Sequence, residues 1–466
     1  MEFVDRERKQ IMSNIHLIDI IDIEDALVDS MGKDLQSLWP LSTKCVIYKV
    51  SERLRRVKES AYTPKVVSIG PLHHGGHQGL RAMEEHKLRY LKDFIDRTGE
   101  SLKFFVDFVR KNEAKLRSCY AETIQFSVDE FVKMILVDAA FIVEVLLKSS
   151  DRKLLDENDR IFNELWLIKD IWTDMLLLEN QLPFFILKDL FEKYNKEVLS
   201  EYPTLVQLIE YFFKFRMESP GIEDRWEEFS SGDFKIKHFV DLLRHVQLKP
   251  VKEHQMKLKK LTMPNVTELH EAGVRFQVSR SENLIDIKFD KKNGILEIPS
   301  FIFSAETELI IRNSLAFEQH HYSENYINDY VILMNQLFET PMDIELLVKE
   351  GIVENRFNNT KEGSDFLYKL AGGAILDQYD FYFASLYEEL NSFYIIPWHK
   401  YWKVTLHRWN AKLYKWNKKL HRWKEDLKEK YFTSPWAAIS IFAAIFLFIL
   451  TIIQTVCSVM QSGKAK

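Results

Sequence analysis

The sequence predicts a mainly α protein: a multi-helix globular body with a small antiparallel β-meander insert and one C-terminal transmembrane helix. Three observations predict it. Apolar residues recur three and four apart through most of the chain, as amphipathic helices require. After Pro264 the pattern changes to an alternation of apolar and polar, the period of a strand. Near the end, every position from Trp436 to Val456 is uncharged and most are apolar. With 466 residues, 46% of them hydrophobic and 13% aromatic, the chain can bury a large core, which excludes wholesale disorder. Its 15 Gly and 12 Pro are too few for a collagenous or turn-rich all-β chain. Three cysteines, Cys45, Cys119 and Cys457, cannot frame a disulfide scaffold, so a reducing compartment is expected.

An N-terminal extension, 1–39, is read as partly helical, with the amphipathic pattern running from Leu17 to about Tyr48. A single globular domain is expected over 40–399. Helical spacing returns from Met83 to Arg110, after a loop from Ala61 to His77 whose two prolines and three glycines leave only a short extended core. Further helices are predicted over Val128 to Leu147, Ile161 to Asn180 and Phe184 to Tyr194, the last opened by Pro183. Residues 215–233 read as a flexible connection. The β insert lies near 274–302: Val274 to Ser279, Leu284 to Phe289 and Ile295 to Ile298 alternate, with turn residues from Asp290 to Gly294. Helices resume over Thr307 to Glu318, Tyr326 to Phe338, Met342 to Lys349 and Lys361 to Leu370.

The last 67 residues have an organisation of their own. From 400 to 430 runs a basic neck with eleven Lys/Arg against Glu425, Asp426 and Glu429. The chain carries −5, the neck +8 and the tail +2, which leaves −15 on residues 1–399. Within the neck Trp402, Trp409, Trp416 and Trp423 stand seven apart, as do Leu406, Leu413, Leu420 and Leu427. Alternating steps of four and three put all eight on one helical seam. The stripe is read first as packing on the protein's own body or lying among lipid headgroups, and second as a homo-oligomerising stalk, since Trp is wide for a tight two-stranded core.

A transmembrane helix is predicted over 434–459, followed by a short tail, 460–466. At ~1.5 Å per residue, the uncharged run spans roughly 30 Å, the thickness of a bilayer core. Ser434 suits the N-cap, Pro435 the first helical position, and Tyr431 and Trp436 the membrane interface. A buried core helix is the alternative, disfavoured because such helices seldom stay apolar on every face for so long. The N-terminus shows no apolar signal region, and lysines and arginines crowd the near side of the span. A tail-anchored, single-pass protein in the plasma membrane or an endomembrane is therefore expected, its large N-terminal part facing the cytosol.

Chemistry is sought and mostly not found. His73, His74 and His77 cluster around two glycines, but no Cys or Asp/Glu stands at ligand spacing, so no metal is predicted. His320 and His321 read as ordinary residues at a helix end. Ser68 lacks the flanking glycine of a nucleophile elbow, and pairs such as Glu84 and Glu85 prove nothing without geometry. There is no phosphate loop, dinucleotide fingerprint or His-Glu-x-x-His helix. No catalytic residue and no cofactor is assigned. A nucleic-acid partner is not expected of an acidic body beside a membrane anchor.

Six stretches, taken in order, resemble the plant domain-of-unknown-function 247 family. They are Pro64-Lys-Val-Val-Ser-Ile-Gly-Pro71 with its His-His-Gly, Leu177-Leu-Glu-Asn-Gln-Leu-Pro-Phe-Phe185, Thr267 to Phe276, Leu296-Glu-Ile-Pro299, Arg312-Asn-Ser-Leu-Ala-Phe-Glu-Gln319, and Tyr431 to Trp436. The resemblance covers about residues 40 to 460. It implies a plant protein with a large helical domain and a C-terminal membrane anchor, and it brings no catalytic residues to carry over. Some grass members are linked to pollen self-incompatibility, so recognition of a polymorphic partner is one implied role. The Trp/Leu heptads are not part of the family's pattern. Three readings of function follow. The leading one is a membrane-anchored interaction or recognition protein with a protein partner, and the alternative is a membrane-tethered enzyme of unrecognised class. The third, a receptor-like protein with its body outside the cell, predicts glycans at the sequons of Asn265 and Asn358.

Overall fold

Residues 127–150 organise the first half of the molecule. Ser127 and Glu130 form a capping box, Glu130 N–H donating to Ser127 Oγ (3.3 Å) and Ser127 N–H to the Glu130 carboxylate (3.0 Å). The helix they start, Val128–Ser150, is apolar on nearly every face and is buried along most of its length. A computed structural model describes residues 27–33, 35, 44–76, 78–193, 203–217, 226, 229, 235–249, 257–281, 283–357 and 359–394. In chain order the helices of the first half are α1 (Glu52–Val57), α2 (Gln78–Thr98), α3 (Leu102–Lys111), α4 (Glu113–Arg117), α5 (Val128–Ser150), α6 (Arg160–Asn163), α7 (Leu165–Asp174), α8 (Phe184–Lys193), α9 (Leu205–Met217) and α10 (Phe239–Gln247). Around α5 pack α2, α3, α8 and α9, enclosing a core that includes Phe141, Trp172, Phe212 and Phe213. The charges α5 carries inward are paired, as burial demands. Glu144 takes Arg97 through two 2.9 Å bonds, Asp138 takes Lys87 (2.6 Å), and Lys148 takes Asp93 (2.8 Å) and Asp159 (3.0 Å).

The second half builds another core from α11 (Val266–Glu271), β1 (Arg275–Val278), β2 (Lys288–Asp290), β3 (Ile295–Ile298), β4 (Phe301–Phe303), α12 (Ala305–His321), α13 (Tyr326–Leu337), α14 (Pro341–Lys349), β5 (Val353–Asn355), α15 (Thr360–Ala371) and α16 (Ala384–Tyr394). The two cores meet where α10 packs on α12. There Arg244 donates to Glu318 through Nε (3.1 Å) and a terminal amino group (2.7 Å). Glu318 also accepts the N–H groups of Ile327 and Asn328, so one buried carboxylate ties three elements together.

The sheet is not the antiparallel meander that the sequence predicts. Its order is β1-β3-β2, with β1 parallel to β3 (Arg275 opposite Ile295) and β2 antiparallel to β3 (Lys288 opposite Glu297). The cause lies in the stretch predicted to begin a strand at Leu284. Asn283 clamps the backbone of Lys249, accepting its N–H (3.0 Å) and donating to its carbonyl (2.8 Å), and Leu284 N–H binds Gln247 O. That anchorage carries the chain across before β2 starts, and β3 fills the space between. Phe301–Phe303 forms a separate parallel pair with Val353–Asn355.

Other expectations are corrected in the same way. The first predicted helix does not reach Tyr48: Ile47 makes a parallel bridge with Tyr120, and Val46 and Ile47 both donate to Cys119 O. Met83 to Arg110 is two helices, separated at Ser101, whose hydroxyl caps α3 by accepting from Phe104 N–H (3.2 Å). The predicted helix ending at Asn180 stops at Asp174, and residues 175–183 form buried turns. Within the predicted flexible connection, Trp226 and Phe229 are buried in the first core. Among the described residues no helix is long and apolar enough to cross a membrane. The predicted neck, transmembrane helix and tail lie outside the described residues, and with them all eight Trp and Leu residues of the stripe and the anchors Tyr431 and Trp436.

Candidate functional site: a cleft between the two cores

The site is built by the loop 64–76 and the turns 175–183, which hold one another through buried polar side chains. Asp174, the last residue of α7, accepts from three successive backbone N–H groups, Lys65, Val66 and Val67, at 2.8–3.0 Å. Asn180 accepts from Ile69 N–H (2.6 Å) and donates to the carbonyls of Val67 and Asp174 (both 3.0 Å). Gly70 N–H reaches Asp138 (2.8 Å), whose other oxygen holds Lys87. Burial works against the charge of Lys87, but Asp138 and Glu84 outweigh it and raise its pKa above the ordinary lysine value. The next residue of the turn, Gln181, donates to Met175 O and Leu177 O and accepts from Phe239 N–H (3.0 Å), linking α10.

A third segment completes the clamp. Asn313 of α12 accepts Leu178 N–H (2.9 Å) and donates to Ala61 O (2.9 Å), so α12 holds the turn at Leu178 and the chain just before the loop together. Glu179 accepts from Val50 N–H (2.6 Å) and from Arg55. His73 Nε2 lies 3.0 Å from the second Glu179 oxygen, an ion-pair distance at an angle that does not complete a hydrogen bond. Burial pushes the Glu179 carboxyl up, yet His73, Val50 and Arg55 together hold it below the ordinary glutamate value.

Over this clamp opens a cleft of roughly 380 Å³. Three lysines line it, and each is matched by a carboxylate: Lys58 to Glu308 (2.5 Å), Lys65 to Asp170 (3.4 Å) and Lys169 to Glu306 (2.8 Å). Lys58–Glu308 and Lys169–Glu306 cross from the first half of the chain to α12. Asp174 forms part of the lining, pushed by burial up to about 6 against its three backbone donors. Trp166 also lines the cleft and is 57% exposed; its neighbour Leu165 is 82% exposed. Such a cleft can grip a ligand through an aromatic face and through paired charges able to exchange partners. Among the described residues, its lining contains no histidine, cysteine or arginine.

The histidines singled out in the sequence do not converge. His73 faces Glu179, His74 packs edge-on against Phe126 (5.6 Å), and His77 lies outside the described residues. His320 and His321 end α12, and both flank one ring: His320 stacks on Tyr48 (5.1 Å), while His321 Nδ1 is 2.9 Å from the Tyr48 hydroxyl. Among the described residues no group of three or more His, Cys, Asp or Glu could hold a metal ion. Ser68 is buried, and its carbonyl accepts from Lys87. Glu84 pairs with Lys87 and Glu85 with Arg89. Sequence reasoning missed Asp174, Trp166 and the three lysines. Trp166 sits in a short helix with an apolar composition, where nothing but the fold distinguishes an exposed ring from a core one.

The architecture defines a class: a mainly helical protein with two cores, locked by a buried polar clamp, with a cleft rimmed by charge pairs and an exposed indole at the junction. The chain belongs to the plant domain-of-unknown-function 247 family, described as plant protein of unknown function, whose model matches residues 47–450. It is similar to two proteins of Arabidopsis thaliana. It shares 28% identity with UPF0481 protein At3g47200, over 93% of this chain and 88% of that one. It shares 22% with putative UPF0481 protein At3g02645, over 89% of this chain and 90% of that one. No solved structure matches the chain.

Proposed function

We propose that this chain is a membrane-tethered recognition protein whose body faces the cytosol and grips a short segment of a partner protein in the cleft between its two cores. The exposure of Trp166 on the cleft wall carries this reading. A half-exposed indole beside solvent-facing charge pairs has the composition of a recognition surface, where an aromatic residue dominates the energy. The ion pairs that line the cleft are already neutralised, which suits exchange with a peptide's own polar groups better than proton transfer. The tether is the apolar run from Trp436 to Val456, with the basic neck on its cytosolic side in the plasma membrane or an endomembrane. Discrimination among polymorphic partners in pollen, the role linked to some grass relatives, would use the same cleft.

The test is selection of a displayed peptide library on the full chain in lipid nanodiscs, with the selected peptides measured against Trp166→Ala. Removing a hot-spot indole weakens binding by at least about tenfold. Thermal unfolding should be unchanged because the ring is exposed. Peptides that bind Trp166→Ala and the parent chain equally would place recognition elsewhere and overturn the assignment of the cleft.

A further inference from the structure

We infer that the partner segment taken by the cleft is a basic one, and that an arginine of that segment lies on the Trp166 indole with its guanidinium against Asp170. The inference rests on the cleft reading above and names the chemistry of the occupant. Trp166, Asp170 and Asp174 stand four apart on α7, so they lie one above another on one helix face, and all three line the cleft. An indole followed one turn later by a carboxylate matches a guanidinium on two sides. The flat face of the cation stacks on the ring, while its edge offers N–H donors to the acid about 5.4 Å further along the axis. Among the described residues no aromatic ring or cation stacks on Trp166, so that platform is open.

The charge pairs favour a cation over an anion. The three lysine side chains are 40–60% exposed, whereas their partners Glu308, Asp170 and Glu306 are 8–29% exposed. The acids are therefore fixed in the wall, and the ammonium groups are placeholders on flexible stems that swing into solvent at little cost. Lys65 stands 3.4 Å from Asp170, the longest of the three pairs. Glu308 is held from behind by Arg312 (2.8 Å), so it stays paired when Lys58 departs. An acidic segment entering the cleft would meet these carboxylates, with Asp174 beside them, at the wall. At longer range residues 1–399 carry −15, which draws a basic segment in and repels an acidic one.

Peptides selected by the full chain in nanodiscs test it. The inference expects an arginine in the selected sequences whose exchange for citrulline, which keeps the shape and removes the charge, weakens binding by about tenfold or more. Asp170→Asn should weaken the arginine peptide several-fold and change the citrulline peptide little. Lys65→Met, which strips Asp170 of its own cation, should tighten the arginine peptide several-fold. The Lys65 side chain is largely exposed, so that variant should unfold at the same temperature as the parent. Selected peptides that need Trp166 but are acidic or uncharged, or weaker binding by Lys65→Met, would overturn the inference and leave the cleft reading standing. Arginine peptides that bind Trp166→Ala as tightly as the parent would overturn the cleft reading and this inference with it.

Discussion

His238 opens α10 with both ring nitrogens committed. Its Nε2–H donates to Val46 O (2.9 Å), and its Nδ1 accepts Asp241 N–H (3.2 Å) as an N-cap. The neutral ring satisfies both bonds, and the protonated ring would lose the second. Burial, the larger effect, pushes its pKa down to about 4 from an ordinary 6.5. The stability tied to this neutral form is therefore complete above pH 6.5 and is lost as the pH falls through 4. We expect the wild type to lose roughly 3 kcal/mol from this group across that window. His238→Asn, which can still cap, should be less stable at pH 7 but markedly flatter in denaturant titrations between pH 7 and 4. An equally steep acid profile in the variant would assign the loss to other groups. Nothing in the sequence marks His238 out: its cap on Asp241 is local, but its other partner, Val46, becomes a neighbour only through the packing of α10 on the bridge at Ile47. Asn180 and Gln181 are the opposite case: their stretch was conspicuous in the sequence, but as a pattern without a visible task.

At the level of elements, the loop 64–76 is held by its backbone, so glycine positions decide its shape. Gly70 has φ +72°, and an added Cβ would meet Gln181 O at 2.8 Å and the Tyr120 hydroxyl at 2.9 Å. Gly75 has φ +74° with nothing within 4 Å. Gly75→Ala should therefore cost only the backbone term, about 1 kcal/mol, whereas Gly70→Ala should cost roughly 3 kcal/mol or more in chemical denaturation. Equal costs would mean that the loop does not pack on the 175–183 turns as described. The long helices were legible from their apolar periodicity, and the structure adds the cap at Ser127 and Glu130 that fixes where one of them starts. The sheet was misread for a physical reason: alternation reports which face a strand buries, not which neighbour it pairs with. The clamp of Asn283 on Lys249, which sets the order β1-β3-β2, leaves no trace in the pattern of either segment.

For the whole molecule, the proposal to be tested is a membrane tether with the body on its cytosolic side. The two sequons offer a structural handle. Asn265 is the N-cap of α11 and nearly buried; it accepts Glu268 N–H (2.9 Å) in a capping box, while Thr267 Oγ1 donates to Asp343 (2.5 Å). A glycan would be carried on Asn265 Nδ2, and with the residue only 9% exposed there is no room for it without opening the local packing, so the fold itself argues against occupancy. The other sequon residue, Asn358, lies outside the described residues. The charge asymmetry between an acidic body and a basic neck points the same way. The most direct test is to express the full chain in plant cells, isolate sealed membranes, and combine protease protection of the body with glycosidase-sensitive mass shifts. A protease-accessible, unglycosylated body is the predicted result. A protected body carrying glycans at Asn265 or Asn358 would contradict the cytosolic recognition role.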